Sequence, residues 1–119
     1  NGTSIGIIRL GDSGGLETTG YSGTTETGTG RSSYTDGFKL TQTGSASFTL
    51  DGMWIFTLLD PATNTWSGIG NLSASNAAAA VYTGAGVKSL SGTLTQIAWT
   101  TQGGTDTVDG SSKINILYF

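Results

Sequence analysis

The sequence predicts an all-β fold, an antiparallel sandwich or jelly roll of about eight strands. Of the 119 residues, 20 are glycine and only 11% are charged, against about 25% in an ordinary globular domain. Glycine and the abundant threonine form helices poorly, whereas threonine, valine, isoleucine and aromatic residues suit a pleated sheet. Turn signals recur about every 8 to 12 residues with no helical stretch between them, which is typical of a sandwich or barrel. We expect residues 1–119 to form a single β domain.

The N-terminal third contains one clear strand and one ambiguous segment. Ser4 to Leu10 predicts the first strand, because isoleucine and leucine dominate it. Residues 11–37 are rich in glycine, serine and threonine, and an irregular stretch of that length is unusual inside a compact domain. Two interpretations are open: a loop or arm that contacts a partner, or one or two weak strands near Leu16 to Tyr21 and Ser32 to Thr35.

The middle of the chain carries sharper patterns. Residues 38–42 alternate between apolar and polar, and Ala46, Phe48 and Leu50 repeat that alternation, which is the period of a half-buried strand. Asp51-Gly52 follows, a pair that favours a tight hairpin turn. Residues 53–59 (MWIFTLL) are almost continuously apolar, so we expect a central strand that is covered on both faces.

The C-terminal half predicts a further series of strands. Asp60-Pro61 suits the first two positions of a type I turn. Strands are expected at residues 65–72, 79–83, 87–90, 94–101 and 113–119, with a bulge between Leu94 and Ile97 where the apolar parity switches. Because an exposed apolar strand invites aggregation, the last one is expected to pair within a sheet or to lie in a subunit interface.

Charge and composition argue against several classes of partner. The net charge is −3 and the five basic residues are scattered, so no patch is available to neutralise several phosphates, and we expect no nucleic-acid partner. The longest apolar run is far shorter than the roughly 20 residues of a membrane helix, and we expect no membrane partner. The chain has no cysteine, which excludes disulfides and thiolate ligands.

Two motifs invite a catalytic or metal-binding interpretation, and neither carries it. Residues 11–15 (GDSGG) match the nucleophile motif of chymotrypsin-like proteases, but the chain has no histidine to serve as general base. We therefore expect a flexible turn there. Asp106 and Asp109 lie in a glycine-rich loop that weakly resembles a calcium-binding sequence, and a plain turn is the stronger prediction. The other acidic residues fall at turns or in residues 11–37, so we predict no catalytic residue, no metal and no cofactor.

The three tryptophans divide into two classes. Trp54 and Trp99 lie in strongly apolar segments, which predicts core positions. Trp66 follows a turn and has few apolar neighbours. Of the three it is the best candidate for an exposed residue that stacks on a ligand, and core packing is the alternative left open.

The C-terminal 70 residues or so resemble small structural proteins of tailed bacteriophages. The similarity lies in Leu58 to Trp66 (LLDPATNTW), Leu90 to Leu94 (LSGTL) and Gly104 to Tyr118 (GTDTVDGSSKINILY). The resemblance implies a virion component on the capsid exterior. The expected role is a head decoration (cement) protein that stabilises the head, or a tail or fibre accessory domain. It also implies two partners, the major capsid protein and further copies of this chain, as a homotrimer.

Candidate contact residues follow from this expectation. Those expected to touch the capsid lattice are Ile5, Ile7, Arg9, Leu16, Tyr21, Arg31 and Tyr34. Those expected in core or subunit packing are Ile114, Ile116, Tyr118 and Phe119. The alternative is a carbohydrate- or receptor-binding sandwich module of a tail fibre or a secreted enzyme, in which Trp66 and tyrosines form the binding surface. The sequence leaves both functions open.

Overall fold

The computed structural model describes residues 2–75 and 80–118, and their regular structure is entirely β. The predicted all-β antiparallel architecture is confirmed: two sheets contain nine strands, all paired antiparallel. Within the described ranges, no helix is long and apolar enough to span a membrane. The strands are β1 Gly6–Asp12, β2 Gly15–Leu16, β3 Tyr21–Thr27, β4 Gly30–Tyr34, β5 Phe38–Lys39, β6 Leu50–Asp60, β7 Thr65–Ala74, β8 Ala80–Ser89 and β9 Gln96–Thr101.

The two sheets differ in size. The larger has five strands in the order β4-β3-β8-β7-β6, which makes β6 and β4 its edges. In the smaller sheet, β1 pairs with β9 along one side and with the short strands β5 and β2 along the other. One face of the large sheet covers the core, and the other, which we call the outer face, points away from it.

The core is a cluster of aromatic rings centred on Phe38, which is completely buried. Its ring centroid lies 5.3 Å from that of Tyr21, 6.0 Å from Tyr34, 5.7 Å from Trp54 and 5.1 Å from Phe56. Most of these pairs are edge-to-face, the geometry that the ring quadrupoles favour. A ring from β5 of the smaller sheet and rings from β3, β4 and β6 of the larger sheet thus meet at one point.

Glycines on the inner face of the large sheet make room for these rings. A Cβ atom on Gly70 would lie 2.5 Å from Trp54, and one on Gly23 would lie 2.2 Å from the Tyr34 hydroxyl. Real Cβ atoms essentially never come within 3.0 Å of another residue's heavy atoms. The glycines therefore let aromatic side chains lie flat against the strands. The same crowding applies at three further inward positions, Gly68, Gly84 and Gly86.

Residues 11–37 form strands rather than an arm. They include the end of β1 and all of β2, β3 and β4, so the second of the two interpretations is correct. Tyr21 and Tyr34 are buried in the core and anchor this segment. β3 fills the place next to β8 in the large sheet.

Residues 53–59 are not a central strand. They belong to β6, the edge of the large sheet, and Met53, Ile55, Leu58 and Leu59 are exposed. The predicted hairpin turn at Asp51-Gly52 is also wrong, because both residues lie inside β6 and pair with β7. The turn that reverses the chain is the next one, residues 61–64, where Asn64 has a φ of 49°.

Other boundaries also differ from the predictions. Residues 46–49 form no strand. The two strands predicted at 79–83 and 87–90 are a single strand, β8, and the glycines expected to break it, Gly84 and Gly86, pair with neighbouring strands. Residue 79 lies outside the described residues. The observed bulge is between Leu58 and Asp60, not near Leu94. The expected closing strand does not form over residues 113–118.

Candidate functional site

The outer face of the large sheet carries an apolar patch where β6, β7 and β8 run side by side. The register places Ile55 opposite Ile69 and Ile69 opposite Ala85, so three apolar side chains form one row across the strands. Met53 is 66% exposed, Ile55 55% and Ile69 54%. On β8, Val81 and Val87 lie on the same face and are 61% and 40% exposed, and the hydrogen-bonded pair Thr83–Asn71 separates Val81 from the row.

The size of this patch is that of the largest apolar patch on a typical monomer, and such a patch is often functional. Its exposed side chains present roughly 500 Å² in total, within the range of about 300 to 600 Å² for such patches. The strands alternate, so the opposite set of side chains on β6 is the one that packs into the core. Both sets are apolar, which a strand with one face in water does not require.

Polar groups bound the patch on the far side of the sheet. On β3 and β4 the same face carries Thr24, Ser33 and the exposed ion pair between Glu26 and Arg31, whose Nε–Oε2 distance is 3.2 Å. The patch is therefore confined to the β6–β7–β8 half of the face. An apolar centre with a polar border is the usual anatomy of a protein–protein contact.

Three of the residues expected to touch a capsid lattice are in the core. Ile7, Tyr21 and Tyr34 are 0%, 2% and 3% exposed, so this prediction is wrong for them. Tyr21 also uses its hydroxyl internally, donating to the carbonyl oxygens of Leu10 and Glu17. Ile7 lies in the predicted first strand, whereas Tyr21 and Tyr34 lie in residues 11–37, for which an arm was one of the two interpretations. That stretch forms strands of a sheet, and its large side chains fill the core.

The other four expected contacts are accessible to different degrees and are not brought together. Leu16 is exposed in β2 of the smaller sheet, whereas Arg31 is exposed in β4 of the larger one. Ile5 is half-buried, and Arg9 donates from Nε to the carbonyl oxygen of Asp36 at 2.9 Å. They do not form one surface.

For Trp66 the structure favours core packing, one of the two interpretations left open, over exposure. This side chain is partly buried, packs against the core cluster, and its indole nitrogen is completely covered. Trp54 packs against the same cluster, as expected. Trp99 is half-buried beside Gly6, and its indole nitrogen is also covered. The described tryptophans therefore provide no stacking platform.

The C-terminal segment, residues 113–118, is exposed along its whole length. Ile114 and Ile116 are 56% and 61% exposed, and Leu117 and Tyr118 are 86% and 90% exposed. The segment makes no strand pairing within the described part of the chain. Packing of this segment in its own core is thus excluded for the described residues, and subunit packing stays a prediction. Phe119, the last residue of that set, lies outside the described residues.

The GDSGG motif is a tight hairpin between β1 and β2. Asp12 pairs with Gly15, and the carboxylate of Asp12 accepts a hydrogen bond from the Gly14 N–H at 2.7 Å. The turn is not free to move as a flexible loop would be, because Ser91 donates its hydroxyl to Asp12 Oδ2 at 2.6 Å and to Glu17 Oε1 at 2.9 Å. Sequence reasoning predicted the turn and missed its attachment.

Around this hairpin lies a buried polar cluster that the sequence did not reveal. Lys88 is only 4% exposed and donates to Glu17 Oε2, and its ammonium group lies 5.3 Å from the centre of the Tyr21 ring. Glu17 and Lys88 are 71 residues apart in sequence. Only the pairing of β3 with β8 brings them together, so no local pattern could have identified them.

Hydrogen bonds and charge hold both carboxylates of the cluster in the ionised form. The pKa of Asp12 is lowered, chiefly by the Ser91 hydroxyl and then by the Gly14 N–H. Burial alone would raise the pKa of Glu17, but the hydrogen bonds from Lys88 and Ser91 outweigh it and lower that pKa. A general acid–base pair needs two pKa values that are pushed apart. This cluster instead clamps the hairpin to residues 88–91.

The acidic loop near the C-terminus also has structural partners. Asp106 accepts a hydrogen bond from the Ser4 N–H at 2.8 Å, and Asp109 accepts one from the Ser111 N–H at 2.8 Å. The pKa of Asp106 is lowered chiefly by the Ser4 side chain and then by the Ser4 N–H, and the pKa of Asp109 is lowered chiefly by the Ser111 N–H. The described residues contain no group of three or more acidic side chains that could hold a metal ion. The loop is therefore organised as turns.

An open cleft of about 520 Å³ lies beside this loop. Its walls are residues 44–51, residues 106–113 and the start of β1, and Phe48 and Trp99 line it. Its volume falls within the range of about 300 to 1,000 Å³ that small-molecule sites occupy. The lining is rich in serine, threonine and aspartate, the groups that hydrogen-bond a hydroxyl-bearing ligand.

No protein-family model, curated protein or solved structure matches this chain. The segments that resemble phage structural proteins have distinct places in the fold. Leu58 to Trp66 form the turn between β6 and β7, Leu90 to Leu94 link β8 to β9, and Gly104 to Tyr118 include the exposed C-terminal segment. The resemblance stays a prediction, and we infer the function from the surfaces described above.

Proposed function

We propose that this chain is a non-enzymatic structural protein of a tailed-phage virion. In this proposal it is a decoration protein that binds the major capsid protein on the outside of the head and stabilises the shell. The observation that carries the proposal is the apolar patch on the outer face of the large sheet. The resemblance of the C-terminal half supports the choice of partner.

The chemistry of the patch favours adhesion to a protein surface. Its side chains are aliphatic, they stand on three hydrogen-bonded strands, and their positions are fixed by a continuous register. A rigid apolar surface loses little side-chain freedom on binding, which lowers the cost of association. Burying roughly 500 Å² at about 25 cal/mol per Å² contributes on the order of 10 kcal/mol before the costs of association. Many copies on one lattice would add avidity.

Co-sedimentation with heads tests the proposal. The purified chain is mixed with undecorated heads of the phage that encodes it, and bound protein is measured in the pellet. We expect saturable binding by the native chain. The double variant Ile55→Thr/Ile69→Thr keeps β-branched residues in the strands but removes apolar surface from the centre of the patch. A loss of about 2 kcal/mol is expected, or roughly 30-fold in Kd.

A matched isoleucine-to-threonine substitution outside the patch separates loss of the patch from a general effect of the substitution on binding. Ile97→Thr makes the same chemical change in β9 of the smaller sheet, where Ile97 is 40% exposed, and should leave binding within about twofold of the native value, since it lies outside the patch. Leu16→Thr tests the accessible contact predicted from sequence in the same way. Failure of the native chain to bind heads would refute the decoration function. Native-like binding of the double variant would place the contact elsewhere.

The cleft beside residues 106–113 favours a second candidate, binding of a carbohydrate or glycosylated receptor. Phe48 provides a half-buried ring next to a hydroxyl-rich wall. A glycan array, followed by titration of any positive oligosaccharide against the fluorescence of Trp99, tests it. Saturable binding that Phe48→Ala abolishes would support this candidate. An array without positives would dismiss it.

A further inference from the structure

The edge of the large sheet is long, apolar and without a partner strand in the described residues. β6 has 11 residues and pairs only with β7, so the backbone groups on its other side point away from the sheet. Natural proteins protect such edges with charges, prolines, short strands or a covering segment. From Met53 to Leu59 this edge carries no charge and no proline. It is a surface on which another strand can add.

The C-terminal segment has the properties of the missing strand. In an extended chain, Ile114, Ile116 and Tyr118 would share one face, because side chains alternate with a period of two. All three are more than half exposed. Six extended residues span about 20 Å, enough to cover more than half of β6.

We propose that residues 113–118 of one copy add to β6 of a second copy as an antiparallel sixth strand. The central pair is Ile116 with Ile55, which sets Ile114 opposite Thr57 and Tyr118 opposite Met53. The apolar face of the segment then continues the outer face of the sheet. The partner is a second copy of this chain, and the inference stands whether or not the chain binds capsids.

Geometry favours exchange between copies over pairing within one chain. Lys113 lines the cleft together with Leu50 and Asp51, at the start of β6. Continuing from there along its own β6, the segment would run parallel to it. Parallel pairs are slightly less stable per residue, and every strand pair in this fold is antiparallel. A second copy can offer the antiparallel direction.

The area involved is that of a stable association. In a reciprocal exchange each copy contributes both its exposed segment and its β6 edge, and these two surfaces together are comparable with the roughly 800 Å² per partner of a standard interface. Reciprocal exchange closes a dimer, and head-to-tail exchange closes a ring such as a trimer. Either assembly removes the exposed edges.

Cysteine cross-linking tests the pairing, because the native chain has no cysteine. Two full-length single variants, Ile55→Cys and Ile116→Cys, are mixed, oxidised and run on a non-reducing gel. We expect a band at twice the chain mass that requires both variants. The matched control replaces Ile55→Cys with Ile69→Cys, on the same face but one strand further in. Its Cα would lie about 10 Å from residue 116, beyond the limit near 7 Å for a disulfide.

Size-exclusion chromatography with light scattering tests whether the same contact holds the assembly together. We expect the native chain to be oligomeric at micromolar concentration and Leu117→Pro to be monomeric. The Ser75 N–H bonds to the Thr49 carbonyl oxygen, so the odd-numbered residues of β6 bond to β7, and the backbone groups of Trp54 face the free edge, opposite Leu117 of the added strand. Proline at 117 therefore removes a donor to β6.

Ile116→Pro is the matched control and should remain oligomeric, because the N–H of residue 116 would point away from β6, where proline is tolerated. A monomeric native chain, an oligomer that survives Leu117→Pro, or the absence of a cross-link between the Ile55→Cys and Ile116→Cys variants would each overturn the proposal. Binding to heads is measured separately, so either proposal can fail alone.

Discussion

Gly70 is the position where the packing of this fold is tested most sharply. A Cβ atom there would lie 2.5 Å from Trp54, about 0.9 Å closer than the 3.4 Å at which ordinary contact begins. The indole cannot move away freely, because its ring lies 5.7 Å from Phe38 and 6.1 Å from Phe56. Overpacking of this kind costs about 3 kcal/mol, and the lower chain entropy of unfolded alanine offsets about 0.7 kcal/mol. We expect Gly70→Ala to lower the free energy of unfolding by about 2 kcal/mol.

Urea unfolding followed by far-UV circular dichroism measures this change. With a slope near 2 kcal/mol per molar urea, the midpoint should fall by about 1 M and the slope should stay constant. Gly28→Ala is the matched control, because a Cβ there meets no atom within 4 Å. In a Trp54→Leu background, Gly70→Ala should cost much less, since the clash is gone. Equal stability of Gly70→Ala and the native chain, or the same cost in both backgrounds, would refute the packing described here.

Three further predictions concern buried polar groups. Tyr34→Phe should be neutral or stabilising by about 1 kcal/mol, because the buried Tyr34 hydroxyl has no hydrogen-bond partner among the described residues; a loss above 1 kcal/mol in urea unfolding would contradict this. Glu17→Gln should cost about 2 to 3 kcal/mol, because it removes the carboxylate charge that pairs with the buried Lys88 ammonium, and a thermal unfolding temperature equal to the native one would argue against the clamp. The free energy of unfolding should fall in acid, because folding lowers the pKa of Asp12 and of Glu17. This contribution to stability is fully present above the ordinary carboxyl pKa near 4, and it is lost as the pH falls through the lower pKa values of the folded state. Urea midpoints at pH 6 and pH 3 check it, and an Asp12→Asn/Glu17→Gln variant should show a smaller difference.

The composition predicted the fold class because glycine and threonine leave few alternatives to a sheet. The nearly continuous apolar run of residues 53–59 did not predict their environment. Trp54 and Phe56 face the core while Met53 and Ile55 face outward. A sequence that is apolar on both faces is the same whether a second layer of the same chain or another molecule covers the outer face. Only the structure shows that no such layer covers it within the described residues.

The sequence-based expectations for residues 11–37 and for the C-terminal segment differ from the structure in opposite ways. In the first, strands were only one of two interpretations because residues such as Gly23 weaken the strand signal, yet glycine is needed there to accommodate the Tyr34 ring. In the second, strong alternation predicted a strand, but Ile114 and Ile116 have no partner strand in the described residues. Apolar–polar alternation indicates that a segment can pair as a strand. It does not indicate whether the partner strand belongs to the same chain.

The central claim is that the chain acts by adhesion through the outer face of its large sheet. Electron cryo-microscopy of purified heads carrying this protein tests it most directly. The result expected is density for the domain on the outside of the shell, with Met53, Ile55 and Ile69 against the major capsid protein. Density with that face turned to solvent, or a chain found only in the tail fibre, would contradict the claim.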